Sequence, residues 1–375
     1  MKNFQSGNYV NQGTYKCFIP NLINTRWKLD DMEIISLLSK ADRMLGRLDM
    51  YSEHIPNIDL FISMHIMKEA TLSSKIEGTQ TNMEEALLSK EDVPLDKRDD
   101  WTEIQNYTNA MDYAIKMLDD LPFSSRLIKN IHQILLEGVR GKHKQPGEFR
   151  RSQNWIGGSN INDAIFVPPV FTSIPELMED LEKFVHNDHI YFPDLLKIAI
   201  IHYQFETIHP FLDGNGRLGR LLITLYLVDK GILKRPVLYL SDYLEKNRNS
   251  YYNNLTNVRT ENRLNDWIKF FLKGIIDTAE NGVKTFDKIL ILQKKNENKI
   301  QTLGIRSANA LKVINELYKR PITDAKSIAE IANISLVSAY NLITELQRIE
   351  ILQETTGQKR KRIYIFREYM DIFNS

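Results

Sequence analysis

Apolar residues recur at helical spacing from Asp194 to Glu206, and after an interruption Leu218, Leu221, Leu222 and Leu225 resume the same spacing. Two helices are therefore predicted, with the polar, glycine-bearing stretch 207–217 joining them. Upstream, Phe61 to Glu77 reads as a helix with Ile62, Ile66, Ala70, Ser73 and Glu77 roughly on one side, closed by Gly78 as a left-handed cap. Thr81 with Glu84 then has the form of a capping box that starts the next helix. Trp267 to Ile276 is amphipathic, and Glu280 to Gln301 is a longer, charged helix. The pattern shortens in two places. Ser152 to Gly158 and Ala164 to Pro169 flank a polar tip at Asn160 to Asp163, which predicts a β-hairpin. Near the end, helix 325–332, a turn at Asn333-Ile334-Ser335 and helix 336–349 precede two short strands, 351–354 and 362–366. Ser335 is placed to cap the second of these helices. This is a winged helix-turn-helix pattern, with Lys359, Arg360, Lys361 and Arg362 at or beside the wing tip. The expected fold is an all-α bundle with a β-hairpin laid on it and a C-terminal winged helix-turn-helix domain.

The charged stretch 92–100, with Pro94 inside it, marks the first boundary. The expected division is an N-terminal helical region 1–100, a core 101–276, a helical connector 277–302 and a terminal domain 303–375. A length of 375 residues with 42% hydrophobic content supports a substantial core. A formal charge of +1 argues against a chain-wide nucleic-acid or membrane role. Cys17 stands alone, so neither a disulfide framework nor cysteine zinc spacing is available, and His186 and His189 lack companion ligands. Met1 to Tyr9 has no secretory core and no run is long enough to span a bilayer, so the default address is the cytoplasm.

The chemistry concentrates in His209-Pro210-Phe211-Leu212-Asp213-Gly214-Asn215-Gly216-Arg217-Leu218-Gly219-Arg220. Gly214, Asn215 and Gly216 open the second helix, where free N–H groups and the positive dipole end make an anion site. Arg217 and Arg220, three apart, are placed on the face opposite the leucines, spaced for successive phosphates. Asp213 is a hard oxygen ligand suited to Mg²⁺, and His209 titrates near neutrality and can take a proton from a hydroxyl. Taken singly, these residues read as a helix stop, a tight turn and a solvated basic face. Together they describe phosphoryl or nucleotidyl transfer.

This stretch resembles the Fic (filamentation induced by cAMP) family motif, His-Pro-Phe-x-Asp/Glu-Gly-Asn-Gly-Arg-x-x-Arg, without departure from it. The resemblance implies an all-helical enzyme of Fic type that transfers AMP from ATP, with Mg²⁺, to a Ser, Thr or Tyr hydroxyl of a protein. It implies His209 as base and Asp213 as metal ligand. Residues Gly214, Asn215, Gly216, Arg217, Leu218, Gly219 and Arg220 would be the nucleotide-binding stretch. It also implies Tyr251, of the Tyr251-Tyr252 pair, at the nucleoside, and the hairpin at Ile156, Gly157 and Gly158 as the flap that positions the target. Ser73-Ser74-Lys75-Ile76-Glu77-Gly78 is similar to the family's inhibitory pattern, Ser/Thr-x-x-x-Glu-Gly/Asn, which implies that Glu77 pairs with Arg220 and that Ser73 fixes the helix. Removal of AMP at the same site, and a DNA-binding regulator that senses nucleotide, are the alternatives. Self-modification and homodimer formation stay open. Ser338, Tyr340 and Asn341 fall on the second helix of the terminal domain, which has no arginine before Arg348, so protein contact is favoured there over DNA.

Overall fold

The computed structural model describes every residue except 2, 3, 56, 139–142, 358–360 and 375. Fifteen α-helices lie among the described residues. The first six are α1 Met32–His54, α2 Asp59–Ile76, α3 Met83–Ala86, α4 Arg98–Met117, α5 Ser125–Leu135 and α6 Ile174–His186. The core continues with α7 Asp194–Ile208, α8 Asn215–Asp229, α9 Ser241–Lys246, α10 Arg248–Glu261 and α11 Leu264–Gln301. The last four are α12 Ser307–Lys319, α13 Ala325–Ala332, α14 Leu336–Arg348 and α15 Arg367–Asn374.

From Leu195 to Ile208 every residue of α7 is buried, including its polar ones. A helix buried around its whole circumference must sit inside a bundle. Around it lie α6, α8 and α11, while α2, α4 and α5 close over α8. The Trp267 indole of α11 donates to the Ala199 carbonyl of α7 at 2.8 Å, which fixes the depth at which the two helices meet. The capping box belongs to Asn82 and Glu85, with bonds of 2.9 and 3.0 Å, and not to Thr81 and Glu84. Thr81 is turned into the interior, so its hydroxyl is not available at the helix start. Gly78 does close α2 with a positive φ of 106°.

Three further differences from the sequence reading have physical causes. The N-terminal region is not wholly helical: β1 (Gly7–Asn11) and β2 (Lys16–Pro20) form an antiparallel hairpin, with Gly7 opposite Pro20. The hairpin expected at 152–169 is reduced to one bridge, Ile156 to Phe166. Its side chains compete for the backbone, Gln153 donating to the Pro168 carbonyl and Asn154 to that of Phe211, and Pro168 and Pro169 have no N–H to offer a ladder. The amphipathic helix ending at Ile276 and the connector from Glu280 are one uninterrupted 38-residue helix, α11, so no break falls at 276/277.

In the C-terminal segment β3 (Ile322–Asp324), β4 (Gln353–Glu354) and β5 (Ile363–Ile365) form an antiparallel sheet in the order β3-β5-β4, of which only the last two were expected. Helices α13 and α14 meet through Asn333 in a left-handed turn, and the Ser335 hydroxyl caps α14 as expected. Lys359 and Arg360 lie outside the described residues. This segment packs against α2: the Phe61 ring meets Tyr318 edge-on at 5.2 Å, His65 meets Phe373 at 5.1 Å, and Arg320 donates to the Leu87 carbonyl at 2.8 Å. No helix among the described residues is long and apolar enough to cross a membrane.

Candidate active site

Helix α7 ends at His209, whose backbone is left-handed at φ 49° and ψ 60°. The chain then turns through Pro210 to Gly214, also left-handed at φ 75°, and enters α8. Asn215 holds this loop closed. Its buried side-chain amide accepts from Phe211 N–H and donates to the Phe211 carbonyl, both at 2.9 Å. Of its two amide hydrogens, the only side-chain sites an anion could use, this pairing leaves one, and of the backbone donors beside it the Gly214 N–H donates to the Asp213 carboxylate at 2.6 Å. A second support was not legible in the sequence. His132 of α5 stacks on Phe211 with ring centres 3.8 Å apart, accepts from Gly147 N–H at 2.9 Å, and so donates through its other nitrogen to the Asp213 carbonyl at 3.0 Å. Burial pushes the His132 pKa down to about 4, which keeps that ring neutral.

The two guanidiniums are buried instead of lying on a solvated face. Arg217 donates to Glu103 of α4 at 3.0 Å and stands 3.7 Å from Asp213. Arg220, 2% exposed, donates to the Ser73 hydroxyl at 2.9 Å, the Ser73 carbonyl at 2.8 Å and the Glu77 carboxylate at 2.7 Å. The pairing expected of Glu77 and Arg220 is thus present in the geometry. Burial works to raise the Glu77 carboxyl, but the charge and hydrogen bond of Arg220, with Arg217 behind it, hold it below its ordinary value of 4.5. The same carboxylate lies over Gly216, where a Cβ would come within 2.2 Å of its oxygen. Only glycine leaves that space open.

His209 is half-buried, and its Nδ1 is buried without a hydrogen-bond partner among the described residues. Desolvation, then the positive charge of Arg150, push its pKa down to about 4, against the upward pull of Glu77 and the Glu206 carbonyl. It is therefore a neutral imidazole at physiological pH, able to accept a proton. One turn before it, Glu206 is buried, and desolvation raises its pKa to about 7, against the pull of Arg220. Asp213 points outward, with its side chain 45% exposed. Among the described residues no cluster of three or more metal-ligating side chains occurs. A single exposed carboxylate suits Mg²⁺ that takes its remaining ligands from water and phosphate. Tyr251 is buried, with its hydroxyl 2.9 Å from His202 Nε2, and the accessible member of the pair is Tyr252, 40% exposed. Across the loop, Gly157 and Gly158 are exposed with positive φ, and the Asn154 bond to Phe211 brings this segment alongside the motif.

A model described as Fic/DOC family N-terminal matches residues 35–116, and one described as Fic/DOC family matches residues 122–227. Among curated proteins, the chain is similar to "Protein adenylyltransferase Fic" of Drosophila erecta, with 26% identity over 231 residues, 59% of this chain and 41% of that protein. The Drosophila ananassae protein of the same name is 29% identical over 194 residues, 51% of this chain and 34% of that protein. The chain thus spans less than half the length of these relatives. Among solved structures, a Fic family protein from Desulfovibrio desulfuricans G20 has a TM-score of 0.59 and 19% identity, covering 91% of this chain and 98% of its own. Fic-1 from C. elegans has a TM-score of 0.51 and 19% identity, covering 69% and 74%. These structures bear on the fold alone, and they agree with the helical bundle found here. With the motif His209 to Arg220 inside the second matched segment and two adjoining models spanning 35–116 and 122–227, the chain belongs to the Fic/DOC family.

Proposed function

We propose that the chain is a protein adenylyltransferase that moves AMP from ATP onto a Ser, Thr or Tyr hydroxyl. The observation that carries this reading is the convergence of a neutral His209, the N-terminus of α8 at Gly214 to Gly216 and two guanidiniums on one loop. The name of the Drosophila relatives supports it. On this reading His209 takes the proton of the acceptor hydroxyl as the oxygen attacks the α-phosphorus in line, and pyrophosphate leaves. Gly214, Asn215 and Gly216 offer N–H groups to the α-phosphate, and Arg217 and Arg220 neutralise the leaving phosphates. Asp213 would hold Mg²⁺, which supplies charge neutralisation to the phosphate oxygens. The segment around Ile156, Gly157 and Gly158 would register an extended target segment through its exposed backbone.

Glu77 restrains the reaction, because it holds the guanidinium a terminal phosphate needs. Its position inside the site also favours a second reading, removal of AMP, in which the carboxylate orients a water. For the C-terminal segment we favour a winged helix-turn-helix used for protein contact. The first turns of α14 expose Leu336, Val337 and Tyr340 rather than basic side chains. The test is intact-mass analysis of wild-type, Glu77→Gly and Glu77→Gly/His209→Ala proteins after incubation with ATP and Mg²⁺. An added AMP on Glu77→Gly alone is expected. An adduct that survives His209→Ala would remove the base assignment, and release of AMP from a modified protein by the wild type would favour the second reading.

A further inference from the structure

Arg150 is among the largest fully buried side chains of the protein, yet each hydrogen bond its side chain makes among the described residues ends on a main-chain carbonyl. Nε donates to His209 at 2.9 Å, Nη1 to Ser152 at 3.1 Å, and Nη2 to Pro169 at 2.6 Å and Ile208 at 3.4 Å. Its own backbone N–H donates to Pro210 at 2.9 Å. Burying a guanidinium without a counter-ion is costly. The arrangement offsets that cost by matching a rigid planar fork to several carbonyls at once, which the point charge of a lysine cannot do. Two of the carbonyls, from Ile208 and His209, are those α7 leaves unpaired at its C-terminus, where a cation is favoured. The other two, Ser152 and Pro169, lie at opposite ends of the segment that carries Ile156 to Gly158. One side chain therefore joins the left-handed residue at the end of α7 to both feet of the flap.

We infer that Arg150 is a positioning residue that sets the spacing between the His209 ring and the acceptor hydroxyl presented on the flap. This rests on the transfer reading above. Arg150 also faces His209 electrostatically, together with Arg259 from α10, Glu77 from the end of α2 and the Glu206 carbonyl within α7. Removing its charge relieves one of the influences that keep the imidazole neutral.

The test compares Arg150→Lys and Arg150→Gln in the Glu77→Gly background. Two readouts are taken: kcat and KM for ATP in AMP transfer, and the His209 ring titration followed by NMR without nucleotide. Misplacing the base relative to the acceptor should lower kcat about a hundredfold in both variants, with KM for ATP within about threefold of the parent. The His209 titration should move upward in Arg150→Gln and stay low in Arg150→Lys, which keeps the charge and serves if the glutamine variant does not fold. A kcat within about threefold of the parent, or a KM that rises as far as kcat falls, overturns the positioning role. If the Glu77→Gly parent itself transfers no AMP, the transfer reading fails on its own. The titration then still tests the contact, and an unmoved His209 in Arg150→Gln overturns it.

Discussion

Removing Glu77 should tighten binding of the nucleoside triphosphate far more than binding of the monophosphate. In the structure the Arg220 guanidinium is spent on Ser73 and Glu77, and its closest bond is the 2.7 Å contact to the Glu77 carboxylate. A hydrogen bond between charged groups contributes about 1.5 to 3 kcal/mol. The Glu77 side chain is 38% exposed, so solvent screening places this pair toward the lower end of that range. A triphosphate that must displace the carboxylate therefore loses about 1.5 kcal/mol, or roughly tenfold in affinity. AMP has no terminal phosphate to present to Arg220. Calorimetric titration of wild-type, Glu77→Gly and Glu77→Gln proteins with a non-hydrolysable ATP analogue and with AMP measures the difference directly. The analogue should bind about tenfold more tightly to Glu77→Gly, while AMP changes by less than about threefold. Equal affinity of wild type and variant for the analogue, or an equal gain for AMP, would refute the competition.

Other consequences can be measured on the same proteins. His209 titrates near 4, and its protonated form cannot accept a proton, so transfer by Glu77→Gly should be flat from about pH 6 to 8 and lose rate only in stronger acid; a half-maximum near 6.5 would contradict this. The Glu77 carboxyl is held below its ordinary 4.5, so its pairing energy is complete above that value and is lost only as pH falls through the lowered one. Mild acidification to pH 6 should accordingly leave the wild type restrained, as read by intact mass. Asp213→Ala should raise the Mg²⁺ concentration needed for transfer and leave the thermal midpoint unchanged, because the side chain is nearly half exposed; an unaltered Mg²⁺ dependence would remove the ligand assignment. Glu103→Ala leaves the buried Arg217 guanidinium only the more distant Asp213 carboxylate and should cost about 3 kcal/mol in a denaturation series, whereas an unchanged midpoint would show that Asp213 or water replaces the partner.

The parts of the site that follow one another in the chain were legible in the sequence, and the parts assembled from distant elements were not. Helical periodicity stops and restarts around His209 to Arg220, and that interruption alone locates the loop. The pairing of Glu77 with Arg220 was legible only through resemblance, since nothing local links residues 143 positions apart. His132 and Arg150 escaped notice because a histidine in an amphipathic helix and an arginine after a loop carry no local mark. Their roles come from stacking on Phe211 and from carbonyls contributed by three separate stretches of chain. The 152–169 segment was legible in part: its alternation suits paired strands and one antiparallel bridge forms, but side chains compete for the carbonyls and the prolines lack the N–H that a longer ladder would need. In α11 the polar run after Ile276 suggested a separate element, although charged residues on a solvent-facing stripe do not end a helix.

The carboxylate on Arg220 can be viewed as a ligand the protein carries for its own terminal-phosphate site. A tethered competitor has an effective concentration fixed by the geometry of its attachment, so it cannot be diluted away. Restraint of this kind is independent of how much of the protein is present, and it yields in proportion to free triphosphate measured against that fixed value. It also weakens whenever the end of α2 loosens, because disorder in the tether spreads the same carboxylate through a larger volume. On the proposed function, such a restraint would be set by two quantities, the nucleotide around the chain and the order of a single helix terminus.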